Sequence, residues 1–352
     1  MSDTSPPFRR CRVFIPYAEV GGRLDNVDYE DADVWDDLAT WFADPKLDWD
    51  WVPVTARTLA DVVADVGRAA PPGEIAVVNL CDGDDHNGFP GLSVIHALEA
   101  AGLPYTGADP AFFERSTRKL VMKPLFAAAG VATSPWVAIH DPEVDLRRAA
   151  ETIGFPLFIK PDMSAGAAGI CRTSLVHDHD QAMARVRLLL GGMHGLSIGL
   201  GGIFAERYLP GREFTVLVIA DAAHPDGFRA LRPCEKRFDP SLPPGERFST
   251  HDLGYIEEAT EDGAPAYYGV PVEDEIVEPL RRTAMDAFAA VGGTGYGRVD
   301  IRQDGDGRFV VLEVNAACAL SSPHMAFSGA TIRQFLDLML WDAWRRWRRA
   351  DV

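Results

Sequence analysis

Short apolar runs alternate along the chain with longer segments in which apolar residues recur at helical spacing. In the first third, the runs at 12–16, 49–54 and 74–80 predict strands, and the segments at 58–66 and 91–102 predict helices. Strands that alternate with helices favour an open parallel sheet, whose ligands lie at the carboxyl ends of the strands. This rule makes residues 79–83 a candidate ligand edge, although a simple connecting loop explains them equally well.

The same pattern continues after a Gly- and Pro-bounded linker at residues 130–135. A second unit is predicted from strands at 136–139, 155–161 and 170–175, with helices at 143–153 and 180–190. A third unit is predicted from strands at 203–206, 214–220 and 228–234, a helix at 274–291, a hairpin and a closing helix at 330–349. We therefore predict an α/β protein with domains at residues 1–118, 119–203 and 204–352.

The hairpin near the C-terminus carries candidate metal ligands. Its strands are predicted at 297–302 and 309–315, around an Asp-Gly-Asp-Gly turn. Asp300 lies within an apolar frame, and Glu313 and Asn315 are two residues apart, so their side chains leave the same face of the strand. Oxygen donors of this kind are the ligands that Mg²⁺ prefers. The alternative is a solvated hairpin face with no ligand.

Two further segments have the chemistry of nucleotide binding. The strand at 155–161 carries Lys160 and leads into a small-residue turn at 164–169, which lets backbone N–H groups approach phosphate oxygens. It is not a Walker A loop, and a tight β-turn explains it equally well. At 204–214, a strand leads into a bend flanked by Glu206 and Glu213. Such an edge can present backbone N–H and C=O groups to adenine and a carboxylate to the ribose hydroxyls. A charged edge strand is the alternative there.

Composition excludes several classes of partner. The chain has 352 residues and a net charge of −18, which argues against nucleic acid or an anionic membrane as the main partner. No apolar run reaches the roughly 20 residues of a membrane span, and the first residues lack the apolar core of a signal peptide. The five cysteines form no C-x-x-C pair, which is typical of free thiols. We expect a cytoplasmic protein.

A lysine ahead of the second unit precedes these segments. The order of the lysine and the segments along the chain resembles that of the D-alanine–D-alanine ligase branch of the ATP-grasp superfamily. The resemblance covers roughly residues 75–330. It implies the ATP-grasp fold, with three α/β domains of which the first is a Rossmann-like parallel-sheet domain. It also implies ATP and two Mg²⁺ ions as cofactors, with Mn²⁺ as an alternative metal, and a homodimer, since dimers are usual in this branch.

The resemblance implies roles for individual residues on the nucleotide side. Lys119 and Lys160 match the lysines that contact ATP phosphates, and Glu213 matches the glutamate that binds ribose. Lys236 matches a further phosphate-contacting lysine at the start of a lid predicted over residues 235–262. The small-residue loop would contribute Ser164, Gly166 and Gly169. The hinge that holds adenine would contribute Glu206, Arg207 and Leu209, with arginine where a lysine is commoner.

The resemblance also implies a metal and reaction centre. Asp300, Glu313 and Asn315 match the magnesium ligands, with Glu313 bridging the two ions. Arg298 matches the arginine that steadies the acyl phosphate and the tetrahedral intermediate. No protein nucleophile is needed for this chemistry.

The departures from the family lie in the substrate pockets. The G-G-x-S-x-E signature after the first strand is absent, Gly166 and Ala167 stand where relatives carry serines, and residues 316–320 replace a T-x-P-G-like turn. We expect part of the missing contacts from the stretch at 17–28. The candidate substrate residues are Glu19, Arg23, Ser321, Ser322 and His324.

The sequence therefore predicts an ATP-dependent carboxylate–amine ligase that acts on small molecules through an acyl phosphate. Because both pockets deviate, a specialised amino-acid or dipeptide ligase is favoured over the housekeeping D-alanine–D-alanine ligase of cell-wall synthesis. A third alternative is a nucleotide-binding regulatory module without turnover. The complete set of candidate metal and phosphate residues argues against that module.

Overall fold

The computed structural model describes residues 8–20, 23–25, 36, 39–43, 47–71, 73–164, 166–193, 197–250, 267–316, 318 and 328–350. Within these residues the chain forms three larger sheets and one small hairpin. No helix in the described ranges is long and apolar enough to cross a membrane.

The N-terminal part contains the predicted parallel sheet. Its strands are β1 (Arg10–Pro16), β4 (Asp48–Val54) and β5 (Ile75–Asn79), in the order β4-β1-β5, and both pairs are parallel. The hairpin of β2 (Ala18–Val20) and β3 (Arg23–Asp25) follows β1. The helices of this part are α1 (Leu59–Ala69), α2 (Leu92–Ala100) and α3 (Pro110–Ser116). Every residue of β5 is buried, as expected for a parallel strand that is covered on both faces of the sheet.

The second sheet is antiparallel and corrects two predictions. Its strands are β6 (Trp136–Ile139), β7 (Leu157–Pro161), β8 (Leu175–Val176) and β9 (Ile203–Arg207), in the order β6-β9-β7-β8. The strand at 203–206 was predicted for the third unit, and that grouping is wrong because β9 pairs with β6 and β7. Residues 170–175 were predicted as one strand, but Arg172–Ser174 form a 3₁₀ turn.

Three helices accompany this second sheet along the chain. They are α4 (Lys119–Ala128), α5 (Pro142–Thr152) and α6 (His179–Leu190). Helix α5 begins at Pro142 after Asp141, whose side chain accepts from the amides of Glu143 and Val144. Helix α4 is followed by Gly130 at φ +74°, as expected for a helix that ends in a left-handed glycine.

The third sheet carries the predicted hairpin. Its strands are β10 (Glu213–Ala220), β11 (Phe228–Ala230), β12 (Cys234–Phe238), β13 (Tyr267–Pro271), β14 (Tyr296–Gln303) and β15 (Phe309–Asn315). The order is β13-β12-β10-β14-β15, with β11 also paired to β10. The single strand predicted at 228–234 is therefore two strands. Helices α7 (Asp274–Ala290) and α8 (Ile332–Ala350) complete this part.

The hydrophobic cores show how the sheets are joined. One cluster is shared by the first and third sheets and contains Phe14, Val77 and Val299. The second sheet has a separate cluster with α5 and α6. Helix α4 contributes Met122 and Phe126 to the shared cluster, so it packs on the third sheet although it is a neighbour of the second in the chain. The domain division stays a prediction, and the pairing of β9 favours a boundary after Arg207.

Candidate functional site

One face of the third sheet presents a row of charged side chains. Because residues two apart on a strand share a face, Arg298, Asp300 and Arg302 leave β14 on the same side. The strand register then places Thr215 of β10 and Glu313 of β15 on either side of Asp300. A register shift follows Asp300, where the hairpin bends. The geometry of antiparallel pairing is therefore enough to gather these groups.

Asp300 is held in place by three neighbours. Arg298 donates from Nε and Nη2 to its two oxygens at 2.9 Å each, Thr215 Oγ1 donates at 3.0 Å, and Asn315 Nδ2 donates at 2.9 Å. Burial raises the pKa of Asp300, but the charge and hydrogen bonds of Arg298, with the charge of Lys236 and the Thr215 hydrogen bond, together outweigh burial and hold the pKa below its ordinary value. Asp300 is therefore ionised at neutral pH.

Glu313 is linked to helix α4 and to the small-residue loop through Lys119. The Lys119 ammonium lies 3.0 Å from Glu313 Oε2 and donates to Ser164 Oγ at 3.2 Å. Burial and the charge of Asp300 raise the pKa of Glu313, but the charge and hydrogen bond of Lys119 and the charge of Lys160 together outweigh them, so the pKa lies below the ordinary value. The hairpin, the helix and the loop thus meet at one lysine.

Asp300, Glu313 and Asn315 offer two carboxylates and one amide within a single hairpin. These hard oxygen donors fit Mg²⁺, which usually takes one or two carboxylates and completes its coordination with water and phosphate. Among the described residues, no three His, Cys, Asp or Glu side chains form a metal site by themselves. A metal ion at this set would therefore depend on the Asn315 amide and on ligands from outside the protein.

Across from the hairpin, Glu206 is shared by two lysines. Its carboxylate lies 2.6 Å from Lys123 Nζ and 2.6 Å from Lys160 Nζ, and all three side chains are buried. Burial raises the pKa of Glu206, but the two ammonium groups outweigh it and lower the pKa below its ordinary value. At Lys160 burial is likewise outweighed, by Glu206 and Glu313, so that pKa is raised.

Lys123 is a member of this site that the sequence analysis missed. It is fully enclosed, and burial lowers its pKa although Glu206 opposes this effect. The signal was present in the sequence, because Lys123 is four residues after Lys119 and so lies on the same face of α4. One helix therefore supplies a cation to each of the two sheets.

Glu213, predicted to bind ribose, lies in a second row across the third sheet. The register places it opposite Lys236 of β12 and Arg302 of β14. Its carboxylate is 3.4 Å from Lys236 Nζ and accepts from Arg302 Nη1 at 3.2 Å. Arg302 was also missed, although its position two residues after Asp300 places it on the same face. Lys236 belongs to a strand, so a lid would begin after it, and residues 251–262 of the predicted lid lie outside the described residues.

The other nucleotide candidates lie in two places, at the bend after β9 and in the small-residue loop after β7. Leu209 is buried, whereas the Arg207 side chain is exposed. The Arg207 amide donates to Pro135 O at 3.0 Å, and its carbonyl accepts from Ser134 Oγ at 2.7 Å. In the small-residue loop, Gly166 is exposed and Gly169 is buried. The structure thus brings the loop, Lys119 and the hairpin together, while the backbone of Arg207 is engaged within the protein.

The candidate substrate residues lie apart from these groups or outside the description. Glu19 pairs with Arg57 at 2.9 Å, and both residues line a cavity of about 410 Å³ beside α1. Arg23 lies in β3, and the placement of its side chain is not described. Ser321, Ser322 and His324 lie outside the described residues. The substrate roles of these five residues stay predictions.

Comparison with known proteins identifies the family. The family model for the C-terminus of D-Ala D-Ala ligases matches residues 125–329. A D-alanine–D-alanine ligase of Xanthomonas axonopodis is 30% identical over 249 residues, which cover 70% of this chain and 69% of the relative. One of Xylella fastidiosa is 28% identical over 83% of this chain and 84% of the relative.

Solved structures agree at the level of the fold. A D-alanine–D-alanine ligase of Bacillus anthracis, determined in complex with ATP, superposes with a TM-score of 0.66 at 17% identity over 97% of this chain and 99% of that one. The VanG D-Ala:D-Ser ligase of Enterococcus faecalis gives a TM-score of 0.67 at 16% identity over 96% and 99%. The predicted ATP-grasp fold is thereby confirmed, and the chain belongs to the D-alanine–D-alanine ligase family of ATP-dependent ligases.

Proposed function

We propose that this protein joins two molecules of D-alanine at the expense of ATP, releasing ADP and phosphate. The observation that carries this proposal is the agreement of three curated relatives, 28–30% identical over 70–83% of the chain, which are all D-alanine–D-alanine ligases. They favour the housekeeping reaction over the specialised ligase that the altered pockets suggested. The charged groups between the second and third sheets suit the chemistry.

The proposed roles follow from the geometry of the site. Lys119 and Lys160 would face the phosphates of ATP. Asp300, Glu313 and Asn315 would hold two Mg²⁺ ions, which neutralise phosphate charge when they are bound. Each lysine is paired with a carboxylate of the protein, Lys119 with Glu313 and Lys160 with Glu206. The two ammonium groups are therefore held in place before a nucleotide enters.

The reaction itself needs no nucleophile from the protein. The carboxylate of the first D-alanine would take the terminal phosphoryl group of ATP, and the amine of the second would attack the acyl phosphate and release phosphate. Negative charge develops on the carbonyl oxygen during this attack. Arg298 is positioned by its paired hydrogen bonds with Asp300 and would stabilise that charge.

The specialised ligase is retained as the second candidate because of particular residues. Gly166 and Ala167 offer no hydroxyl where relatives carry serine, and residues 316–320 differ from the family turn. A protein of closely similar fold is a D-Ala:D-Ser ligase. A change of the second substrate is therefore compatible with this architecture.

A product assay separates the two candidates. Purified protein is incubated with ATP and Mg²⁺ together with D-alanine alone, L-alanine alone, or D-alanine paired with D-serine, glycine or a larger amino acid. Phosphate release and the mass of the product are measured. We expect D-alanyl-D-alanine as the best product. A mixed dipeptide formed with higher kcat/KM would instead support the specialised ligase, and ATP-dependent release in no mixture would contradict both.

Thr215 gives a test of the proposed metal site that does not alter a ligand. Thr215→Val removes the hydroxyl that orients Asp300 at 3.0 Å while keeping a β-branched side chain in β10. Removal of a group that orients a metal ligand typically weakens metal affinity by about 10–100-fold. We therefore expect half-maximal activity to need roughly tenfold more Mg²⁺. The surface variant Thr152→Val is the control. An unchanged Mg²⁺ dependence would show that the hydroxyl does not serve the metal site.

A further inference from the structure

The small-residue loop after β7 has an unusual backbone. Gly166, Ala167 and Gly169 have φ values of +54°, +58° and +76°, in the left-handed region. Alanine rarely adopts such a conformation, so neighbouring contacts must hold the loop in it. Gly169 is packed tightly, since a Cβ added there would lie 2.8 Å from Ile198 and 3.1 Å from Pro161. The C-terminal end of the loop is therefore fixed by its surroundings.

Arg185 of helix α6 lies directly against this end of the loop. Its side chain is 2% exposed, and its Nη2 donates to the carbonyl of Gly169. Its Nη1 lies 3.2 Å from the Cys171 sulfur and 3.6 Å from the Met193 sulfur. Arg185 thus bonds to the loop and to the residue that begins the following turn.

The partners of this guanidinium are unusual for a buried cation. Buried charges in proteins are ordinarily paired with an opposite charge. Within the described ranges, no carboxylate pairs with Arg185, and its Nε has no hydrogen-bond partner. Sulfur is a weak acceptor, so the Gly169 carbonyl is the strongest partner that it has. Among the groups that the structure describes, Arg185 is therefore bound most strongly to the loop.

We infer that Arg185 is a positioning residue for the phosphate-binding loop. It does not touch the nucleotide but holds the Gly169 carbonyl, which keeps the loop in the turn conformation in which its amides can face an anion. This inference rests on the proposed function, in which residues 164–169 face the phosphates of ATP. Loss of the contact should loosen the loop and weaken ATP binding more strongly than binding of the amino-acid substrate.

The test compares two arginines of the same helix. Arg185→Met removes the guanidinium from beneath the loop, whereas Arg187→Met removes an exposed one two residues away. Binding of a non-hydrolysable ATP analogue is measured by calorimetry, KM for ATP and for D-alanine by steady-state kinetics, and loop opening by hydrogen exchange over residues 164–171. For Arg185→Met we expect roughly tenfold weaker analogue binding, a matching rise in KM for ATP and faster exchange, with a smaller rise in KM for D-alanine.

A conservative variant distinguishes positioning of the loop from a role of Arg185 in stability alone. Arg185→Lys keeps a cation and one donor but loses the planar fork, so we expect analogue binding about threefold weaker than wild type. Arg187→Met should match wild type throughout. If Arg185→Met does not fold, the lysine variant decides, and wild-type affinity in it would overturn the inference. A lower melting temperature with unchanged ATP affinity would show that Arg185 serves stability alone.

Failure of the proposed function has a different signature. Lys160→Met serves as the reference for the nucleotide site. Wild-type protein that binds no analogue, or Lys160→Met that binds it normally, would overturn both the site and the inference. If Lys160→Met loses analogue binding as expected but Arg185→Met binds the analogue like wild type, only the inference about Arg185 is overturned.

Discussion

Replacement of Glu313 by glutamine is expected to lower ATP turnover by roughly 10²–10³-fold, a loss typical for the removal of one group that stabilises transition-state charge. The substitution keeps the shape of the side chain but removes one of the two carboxylate charges of the proposed Mg²⁺ site. It also removes the partner of Lys119, which lies 3.0 Å away. The measurement is ATP-dependent phosphate release with the best substrate pair, together with circular dichroism to verify the fold.

Asp306→Asn is the matched control for this experiment. Asp306 lies in the turn of the same hairpin, is exposed, and loses the same single charge. We expect it to retain wild-type turnover and Mg²⁺ dependence. Turnover by Glu313→Gln at the wild-type rate would show that the hairpin is not the metal site.

Replacement of Glu206 by glutamine is expected to lower the free energy of unfolding by roughly 3–5 kcal/mol at pH 7. Lys123 and Lys160 are both buried and share this carboxylate at 2.6 Å each. Removal of one partner of a buried ion pair leaves an uncompensated charge, which is the costly case. The measurement is urea unfolding followed by circular dichroism. The exposed Glu143→Gln, which loses a surface pair with Arg147, should change stability by less than about 1 kcal/mol.

The stability difference between wild type and Glu206→Gln should also depend on pH, in a direction that the pKa of Glu206 fixes. The pKa of Glu206 in the folded protein lies below its ordinary value of 4.5, because the two lysines outweigh burial. The carboxylate therefore contributes its stabilisation above about pH 4.5 and loses it as the pH falls through the folded-state pKa. The stability difference between wild type and Glu206→Gln should shrink below pH 4.5. A difference that is absent at pH 7, or that grows on acidification, would contradict this account of the cluster.

Several parts of the site follow from the local pattern of the sequence. The hairpin of β14 and β15 was predicted because alternating and β-branched residues flank a turn, and pairing across such a turn is local. Asp300, Glu313 and Asn315 therefore had to lie close together. The parallel N-terminal sheet followed equally from strands that alternate with helices. These features depend on neighbours in sequence, which is why the sequence suffices for them.

The groups that the sequence analysis missed depend on contacts between distant segments. Lys123 and Arg302 are ordinary polar positions on amphipathic elements until Glu206 and Glu213 are placed beside them. The membership of β9 was mistaken for a similar reason. An apolar strand next to a bend gives no sign of which sheet it joins, and only its pairing with β6 and β7 decides it.

The sequence by itself determined the α/β class, the hairpin that carries the candidate metal ligands, the small-residue loop and the family that these segments resemble. Their signals are periodicity, turn chemistry and short spacing, all of which operate over a few residues. Only the tertiary structure decided that α4 packs on the third sheet, that two lysines share Glu206, and that Arg185 lies beneath Gly169. Those contacts join segments tens of residues apart, and their geometry is set by how the sheets and helices pack.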